Sequence, residues 1–189
     1  GVDLTKAKLV GGKTFSTTFR QANLPGANLS GLDLSQIPFD EANLSGANLS
    51  GANLSEANLF DANFTKANLS EANMTKALMQ STEFIEANLV NVNMYKAQLM
   101  NTELTNANLS NANMTKAILF SVELDETNLT GVKLIKAKLQ HINFEDINLR
   151  DADLSGAKVQ GTTKFKRAIL CNTIMPDGKK DNSGCSELN

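Results

Sequence analysis

The decisive stretch of this sequence is Ala42-Asn43-Leu44-Ser45-Gly46, followed by Ala47-Asn48-Leu49-Ser50-Gly51 and Ala52-Asn53-Leu54-Ser55-Glu56. It repeats every five residues, with one large apolar residue, the centre, in each unit. Stepping by five from Leu4 to Val159 meets about 32 centres without a phase slip, and all but Thr14 are Leu, Phe, Met or Val. A sequence period of this kind indicates a repeat architecture.

The five-residue period predicts extended chain rather than helix. At about 100° per residue, successive centres on an α-helix would lie about 140° apart and would form no apolar stripe. In extended chain, residues two apart share a face, so the centre and the small residue two positions before it, usually Ala, point inward together. The intervening residue, usually Asn, then points outward. Because five is odd, the chain must turn at every unit boundary.

Residue types that recur at longer intervals indicate how many five-residue units form one circuit. Phe19 and Phe39 are twenty residues apart, as are Phe64 and Phe84, and Met recurs at the same interval at 74, 94 and 114. Like residues stack on like when each circuit pairs with the next in a parallel solenoid. The pattern therefore predicts four units per coil and about eight regular coils, a rod near 40 Å long at a strand spacing of about 4.8 Å.

These tandem A-N-L-S-G units resemble the pentapeptide repeat proteins over roughly Val2 to Gln160. The resemblance implies an all-β fold, a right-handed quadrilateral β-helix, which is also the hand that parallel crossovers prefer. We expect a single solenoid domain over 1–160 and a cap over 161–189 that contains a partial last coil.

The two ends depart from the repeat. Near the start, Gly11-Gly12-Lys13-Thr14 breaks the pattern, and Phe15 is a candidate to replace Thr14 in the core. Near the other end, Lys164 stands at the expected centre while Phe165, Leu170 and Met175 resume the five-step one residue late, which predicts a bulge. The turn signal Pro176-Asp177-Gly178 then ends the last coil.

Two cysteines, Cys171 and Cys185, bracket this turn and a polar tail. Their spacing is not that of a CxxC motif or a zinc site, although a metal or redox pair is the alternative to a disulfide that pins the tail over the open coil. A disulfide would indicate an oxidising compartment. The C-N-T-x-x-P-D-G segment closed by a later Cys resembles cyanobacterial and chloroplast-lumen members of the family, which implies periplasm or thylakoid lumen. The chain begins at Gly1, with a leader either removed or never present; a cytoplasmic location is the alternative.

Residues that are twenty apart in the sequence occupy the same place in successive circuits, which divides the surface into four faces. We number the faces in chain order, and the first face is the one whose centres include Phe64. On the fourth face, apolar residues flank the centres where polar ones are usual, so we expect an exposed apolar patch and hence an interface. Its members are Phe60, Leu78, Met100, Ile118 and Phe120. One coil also carries an apolar belt after its centres, formed by Ile85, Val90, Tyr95 and Met100. The alternative is that these side chains lie flat over the corners.

Charged and amide residues form further columns. A basic column of Lys76, Lys96, Lys116 and Lys136, widened by Lys138 and Lys158, is a candidate site for an acidic partner or a solvated corner. Glu83, Glu103 and Glu123 form an acidic column, which we interpret as plain surface because hard cations need six or more oxygen ligands. An Asn ladder on the second face is expected to be structural: Asn28, Asn48, Asn68, Asn88, Asn108, Asn128 and Asn148.

The sequence favours a non-catalytic protein-interaction or structural scaffold. Its one histidine, His141, falls at an outward corner, and no nucleophile, phosphate-binding loop, cofactor site or metal site follows a known motif. With a net charge of −2 and no long apolar run, we expect a protein partner, no nucleic acid, no membrane insertion, and a monomer or weak dimer. Two alternatives are DNA mimicry toward topoisomerases such as gyrase, which the family resemblance implies, and a pure spacer.

Overall fold

The computed structural model describes residues 18–185, in which the chain is all-β without an α-helix. Six short strands carry regular pairing: β1 Gln98–Met100, β2 Ile118–Phe120, β3 Lys138–Gln140, β4 Lys158–Gln160, β5 Thr173–Ile174 and β6 Lys180–Asp181. The first four form a parallel sheet in the order β1-β2-β3-β4, and the last two form an antiparallel pair. Within the described part, no helix is long and apolar enough to cross a bilayer.

Parallel pairing between circuits runs through the whole described repeat. Isolated bridges join residues twenty apart, as in Asn43↔Asn63 and Asn48↔Asn68, and β1 pairs with β2 at the same interval, Leu99 with Leu119. Four five-residue units therefore complete one circuit, as predicted. The number of coils, the square section and the winding hand stay predictions, and the Gly11–Phe15 irregularity lies outside the described residues.

The core consists of the centres and the small residues two positions before them. Leu44, Leu49 and Leu54 are fully buried, and so are Ala47 and Ala52. Like residues stack as expected, since the rings of Phe64 and Phe84 lie 5.2 Å apart and nearly parallel, and those of Phe19 and Phe39 lie 4.9 Å apart. Burial of one large side chain per unit contributes about 1.5–3 kcal/mol each, which drives the chain to close.

Beyond the regular repeat, the pairing interval changes from twenty to twenty-one. Asn143 pairs with Lys164, Asn148 with Ile169 and Asp153 with Ile174. The rings of Phe144 and Phe165 stack at 4.9 Å, so Phe165 takes the centre position that Lys164 vacates. This agrees with the predicted one-residue bulge. The division into domains at 160 stays a prediction.

The last fourth-face centre differs from the expected inward pattern. Val159 is 38% exposed, and its strand β4 is the edge of the four-stranded sheet. No further strand of that sheet covers β4, because the chain next contributes the separate β5–β6 pair. Val159 is therefore a centre by sequence but only partly a core residue.

A disulfide closes the C-terminal segment by joining Cys171 to Cys185, with the Cα atoms 4.7 Å apart. The peptide N–H of Leu170 donates to the Ser183 carbonyl at 2.9 Å, so the tail runs back beside the last coil. Gly184 lies directly against Ile169, where an added Cβ would come within 3.2 Å of the Ile169 Cα. The disulfide thus holds the tail against the partial coil, as predicted.

Candidate functional site: the fourth face

The fourth face is a ladder of three-residue segments in which an inward centre separates two outward residues. In β1 the centre Leu99 is buried, whereas Gln98 is exposed and Met100 is half-buried. The residue before the centre forms one column, paired in register through Pro38, Asn58, Leu78, Gln98, Ile118, Lys138 and Lys158. The residue after the centre forms a second column, which contains Asp40, Phe60, Gln80, Met100, Phe120, Gln140 and Gln160. Backbone pairing therefore fixes the position of every side chain on this face.

The apolar residues predicted on this face are brought together but project less than expected. Leu78 is 42% exposed, whereas Phe60, Met100, Ile118 and Phe120 are half-buried. The reason is that side chains beside a centre lean on those of the adjacent circuits. Phe120, for example, packs its ring edge-on against His141, with ring centres 5.5 Å apart. Leu78 is thus the most exposed member of the group, and the interface itself stays a prediction.

Three of the five apolar residues, Phe60, Leu78 and Met100, line one groove. It has a volume of about 230 Å³, and four successive circuits contribute its walls. Its polar lining consists of Asp40, Asn58, Gln80 and Gln98. The groove is thus an apolar concavity with a carboxylate at one end, a combination that the sequence did not predict.

The carboxylate of Asp40 is largely buried beside this groove. Asn58 donates a hydrogen bond from Nδ2 to Asp40 Oδ1, and Arg20 Nε lies 3.2 Å from Asp40 Oδ2. The Arg20 contact lacks hydrogen-bond geometry, so Oδ2 is shielded from solvent without accepting a hydrogen bond from a described residue. Its charge is compensated by the Arg20 guanidinium at Oδ2 and by the Asn58 amide at Oδ1.

The belt residues lie on other faces of the same circuit. Ile85, Val90 and Tyr95 are all half-buried, so they do not extend the groove as an exposed surface. Both predicted alternatives for these three residues, an interface and side chains that lie flat over the corners, stay predictions. Tyr95 instead lies beside two lysines of the basic column, which is described next.

In the described part of the chain, one member of the lysine column has a carboxylate partner and the other three do not. Lys76 Nζ lies 2.6 Å from Glu56 Oε1, and this hydrogen bond raises the pKa of Lys76 and lowers that of Glu56. Lys96, Lys116 and Lys136 have no carboxylate within ion-pair distance among residues 18–185. Lys96 and Lys116 lie 5.3 and 5.7 Å from the centre of the Tyr95 ring. A hydrogen bond from Lys116, together with the charges of both lysines, lowers the pKa of Tyr95.

The acidic column is in register but is not arranged as a metal site. Glu83 pairs with Glu103, and Glu103 pairs with Glu123. Within the described residues, no group of three or more His, Cys, Asp or Glu side chains is placed to hold a metal ion. His141, the single histidine, is exposed and lies beside Thr162, with Nδ1 and Oγ1 3.3 Å apart.

The Asn ladder does more than the amide stacking that was predicted. Asn88 Nδ2 donates to Asn68 Oδ1 at 3.1 Å, and Asn128 Nδ2 donates to Asn108 Oδ1 at 3.1 Å. The same Asn Oδ1 atoms also accept from the backbone N–H two residues later, as Asn68 does from Ser70 at 3.2 Å. Each such Asn therefore caps the turn that follows it, which explains why the repeat uses Asn rather than another polar residue.

The backbone conformation at the corners is a second feature that was not predicted from the sequence. The residue two positions after the centre has positive φ along the repeat, for example 60° at Glu71, 59° at Lys96 and 64° at Gly46. The left-handed region suits Gly and Asn, and other residues adopt it at a cost. The signal was visible, because Gly, Asn and Asp occur often at this position.

Comparison with known proteins agrees with this architecture. The family described as Pentapeptide repeats matches residues 16–37, 39–75 and 67–106, and the Pentapeptide repeat region matches 97–174. No curated protein sequence matches the chain.

Solved structures give the same result. The chain is similar to HetL of the cyanobacterium Nostoc sp. strain PCC 7120, a pentapeptide repeat protein involved in heterocyst differentiation regulation. The two sequences are 27% identical, and the match covers 88% of this chain and 86% of that chain at a TM-score of 0.54. It also resembles the pentapeptide repeat protein AT2G44920 from the Arabidopsis thaliana thylakoid lumen, with 31% identity over 70% of this chain and 72% of that one at a TM-score of 0.38. QnrB1, a plasmid-mediated fluoroquinolone resistance protein, shares the fold at 19% identity, with 88% and 87% covered and a TM-score of 0.50. Because the family matches span most of the sequence, the chain belongs to the pentapeptide repeat family.

Proposed function

We propose that this protein is a non-catalytic protein-interaction scaffold whose contact surface is the fourth face. The observation that carries the proposal is the groove of about 230 Å³ lined by Phe60, Leu78 and Met100, side chains that three different circuits supply. Groups of exposed apolar side chains with polar surroundings are typical of interaction sites.

Rigidity favours this surface as a binding site. Every groove residue is anchored by a neighbour in the chain that lies in the core, since Leu59, Met79 and Leu99 are fully buried. A partner that binds here would order few side chains, so little of its interaction energy would be lost to conformational entropy. In this proposal the coil is right-handed and four-sided, with about eight regular circuits.

The proposal places the protein in an oxidising compartment, such as a periplasm or a thylakoid lumen. The support is the Cys171–Cys185 disulfide, a bond that is rare in reducing compartments. Alkylation of the protein extracted from its host, with and without prior reduction, tests this location. Two free thiols in the unreduced sample would exclude it.

The lysine column weighs against DNA mimicry as the function. A surface that imitates duplex DNA presents closely spaced negative charge, whereas Lys96, Lys116 and Lys136 present positive charge with no ion-pair partner among residues 18–185. We expect no inhibition of gyrase supercoiling by the purified protein at stoichiometric dose.

The test of the scaffold proposal is co-purification from the native source with three variants, Phe60→Ser, Met100→Ser and Phe120→Ser. The matched control is Ile135→Ser, a half-buried apolar residue at the equivalent position of the third face. A partner should be enriched by the wild type and by the control and lost with the three variants. If all four variants retain the same partners, the fourth face is not the contact surface, and the spacer interpretation gains support.

A further inference from the structure

Strand β4 is the last strand on the fourth face in the described part of the chain. After β4 the chain passes once more over the other three faces, where Asn148 pairs with Ile169 and Asp153 pairs with Ile174, and it then reverses into the β5–β6 pair. The fourth face therefore ends one circuit before its neighbours, which leaves a notch beside β4. All three residues of β4 are exposed as a result.

Each earlier circuit of the fourth face presents three backbone groups to the circuit that follows. The centre Met79 donates its N–H to the Gln98 carbonyl at 2.8 Å, and the Ala77 carbonyl accepts from the Gln98 N–H at 3.0 Å. The corner residue Ser81 donates its N–H to the Met100 carbonyl at 2.8 Å. These hydrogen bonds join one segment of the ladder to the next.

The same three groups of the β4 circuit have no such partner among residues 18–185. They are the N–H groups of Val159 and Gly161 and the carbonyl of Ala157. The side chain of Val159 is also 38% exposed, because no further centre of the fourth face stacks on it. An extended peptide adds as a further strand to edges of this kind, where aligned donors and acceptors lie beside an uncovered apolar residue.

Two lysines give this edge a charge preference. Lys138 and Lys158 lie side by side in the column before the centres, both are exposed, and neither has a carboxylate within ion-pair distance in the part of the chain that the structure describes. Asp177, at the turn that ends the last coil, pairs with Lys179 at 3.4 Å instead. Lysines on a strand edge discourage indiscriminate pairing, so a strand that carries an acidic side chain is the one that fits here.

The rod itself shows how that acidic side chain would be placed. Ion pairs form between residues twenty apart, in adjacent circuits: Lys76 with Glu56 at 2.6 Å, and Lys66 with Glu86 at 3.6 Å. An acidic residue in the next segment of the ladder would stand in the same relation to Lys158.

We propose that the β4 edge binds an extended segment of a partner protein as a fifth strand of the sheet, with an apolar residue over Val159 and, directly before it, an acidic residue beside Lys158. The site is separate from the groove of the proposed function, and the inference does not depend on that groove. A second copy of β4 is a poorer occupant, because edge-to-edge pairing would bring Lys138 and Lys158 of both chains to one junction.

The first test asks whether the edge is open in the whole 189-residue chain without a ligand. Hydrogen exchange followed by NMR should show the Val159 amide exchanging at least about 100-fold faster than that of Leu139, the equivalent centre in β3, which β4 covers. Slow exchange at Val159 would mean that this chain or a second copy already occupies the edge, and it would overturn the inference.

The second test is NMR titration with the synthetic peptide acetyl-Ser-Ala-Glu-Leu-Gln-Gly-amide, which has the small, acidic and apolar residues in the proposed order. We expect a Kd of roughly 0.1–1 mM for a short strand of this kind. Chemical-shift changes should centre on Val159 and Gly161, and exchange of both amides should slow. The matched peptide with Lys in place of Glu should bind at least about fivefold more weakly.

Three results of this titration would overturn the inference. They are no shift changes at about 5 mM peptide, shift changes centred on another part of the rod, and equal affinity for the two peptides. In the last case the lysines would guard the edge against pairing without selecting an acidic strand.

Two variants separate recognition from folding. Lys158→Glu should reverse the preference, so that the Lys peptide binds more tightly than the Glu peptide, and an unchanged order would overturn the inference. Val159→Pro removes an N–H that no described group accepts, and proline is tolerated on edge strands, so it should abolish peptide binding while the thermal midpoint stays near that of the wild type. If Val159→Pro does not fold, Lys158→Glu still decides the question.

The control is Leu78→Ser, in the groove, where Leu78 is 42% exposed. It should bind the Glu peptide as the wild type does. Loss of peptide binding in this variant would show that the peptide occupies the groove, which would overturn this inference and leave the proposed function standing. If the peptide binds at β4 while the serine variants of the proposed function retain their partners, the inference stands and the proposed contact surface falls.

Discussion

Leu109 and Asn108 are neighbours in one extended segment of the second face, yet they occupy opposite environments. Leu109 is fully buried in the core, whereas Asn108 is half-buried at the surface and accepts hydrogen bonds from Asn128 Nδ2 and the Ser110 N–H, both at 3.1 Å. The fold depends on this alternation between buried and surface positions within one five-residue unit.

The first prediction compares the same substitution at these two positions. Leu109→Asp places a charge in a narrow apolar core with no partner, so it should cost about 4 kcal/mol or more and prevent folding of the rod. Asn108→Asp keeps the oxygen that accepts both hydrogen bonds and places its charge at the surface, so it should cost about 1 kcal/mol or less. Urea unfolding followed by circular dichroism measures both. Similar midpoints for the two variants would contradict the assignment of faces.

The second prediction concerns the buried threonines, which occupy positions where the repeat usually has Ala. Thr102 is fully buried, and its Oγ1 donates to the Met79 carbonyl at 2.6 Å. Thr102→Val keeps the shape but removes the donor, and should destabilise the protein by about 1–2 kcal/mol. Val122, one circuit further on in the same column, is the matched site. Val122→Thr should be nearly neutral, because Thr82 and Thr102 in the same column each donate to the carbonyl of the residue 23 positions earlier, and we expect the new hydroxyl to do the same.

How far the sequence predicts this molecule depends on which property the repeat encodes. The twenty-residue circuit, the core and the bulge at Lys164 were predictable, because each follows from the spacing of large apolar residues. The exposure of Val159 was not, since it depends on where the chain leaves the sheet rather than on the residue itself. The groove at Leu78 was only partly predictable. Its apolar members could be found by grouping residues that are twenty apart in the sequence. The largely buried carboxylate of Asp40 could not, because its position depends on side-chain conformations that the repeat does not determine.

The third prediction isolates the cost of the left-handed corners. Gly46 has a φ of 64°, and an added Cβ there would meet no atom within 4 Å. Gly46→Ala should therefore be destabilising by about 1 kcal/mol through backbone conformation alone. Glu71→Asn, at a corner with a φ of 60°, should instead be stabilising by a few tenths of a kcal/mol because Asn tolerates this region better. Thermal unfolding of the two variants tests this, and a stabilising Gly46→Ala would refute it.

The fourth prediction concerns the disulfide, which closes a loop with a sequence separation of 14. Replacing both cysteines with Ser should destabilise the C-terminal segment by about 3 kcal/mol, the value for loops of this length. Because the regular circuits have their own core, hydrogen exchange should accelerate in β5 and β6 and change little around Leu69. Uniform acceleration through the whole rod would show that the cap and the solenoid unfold as one unit.

The fifth prediction is a pH dependence at the junction between the bulge and the last coil. Arg167 donates to Asp146 from Nε and Nη2, each at 2.7 Å, and this bidentate pair lowers the pKa of Asp146. A carboxyl whose pKa is lowered by folding stabilises the protein above its unfolded pKa, and this contribution disappears as the pH falls through the lower, folded value. Arg167 stays protonated over this pH range, so the loss of stability at acidic pH comes from protonation of the Asp146 carboxylate.

Asp146→Asn is the variant that reveals this contribution. At about pH 6 its thermal midpoint should lie below that of the wild type, and the difference should shrink as the pH falls below the unfolded pKa and then through the lower folded pKa, because Asp146 then becomes protonated in both states. The effect should be small, because both side chains are more than half exposed. Glu71→Gln, a corner carboxylate on another face, serves as the control and should show no comparable convergence. A difference that stays constant with pH would mean that Asp146 acts through hydrogen-bond geometry alone and not through its charge.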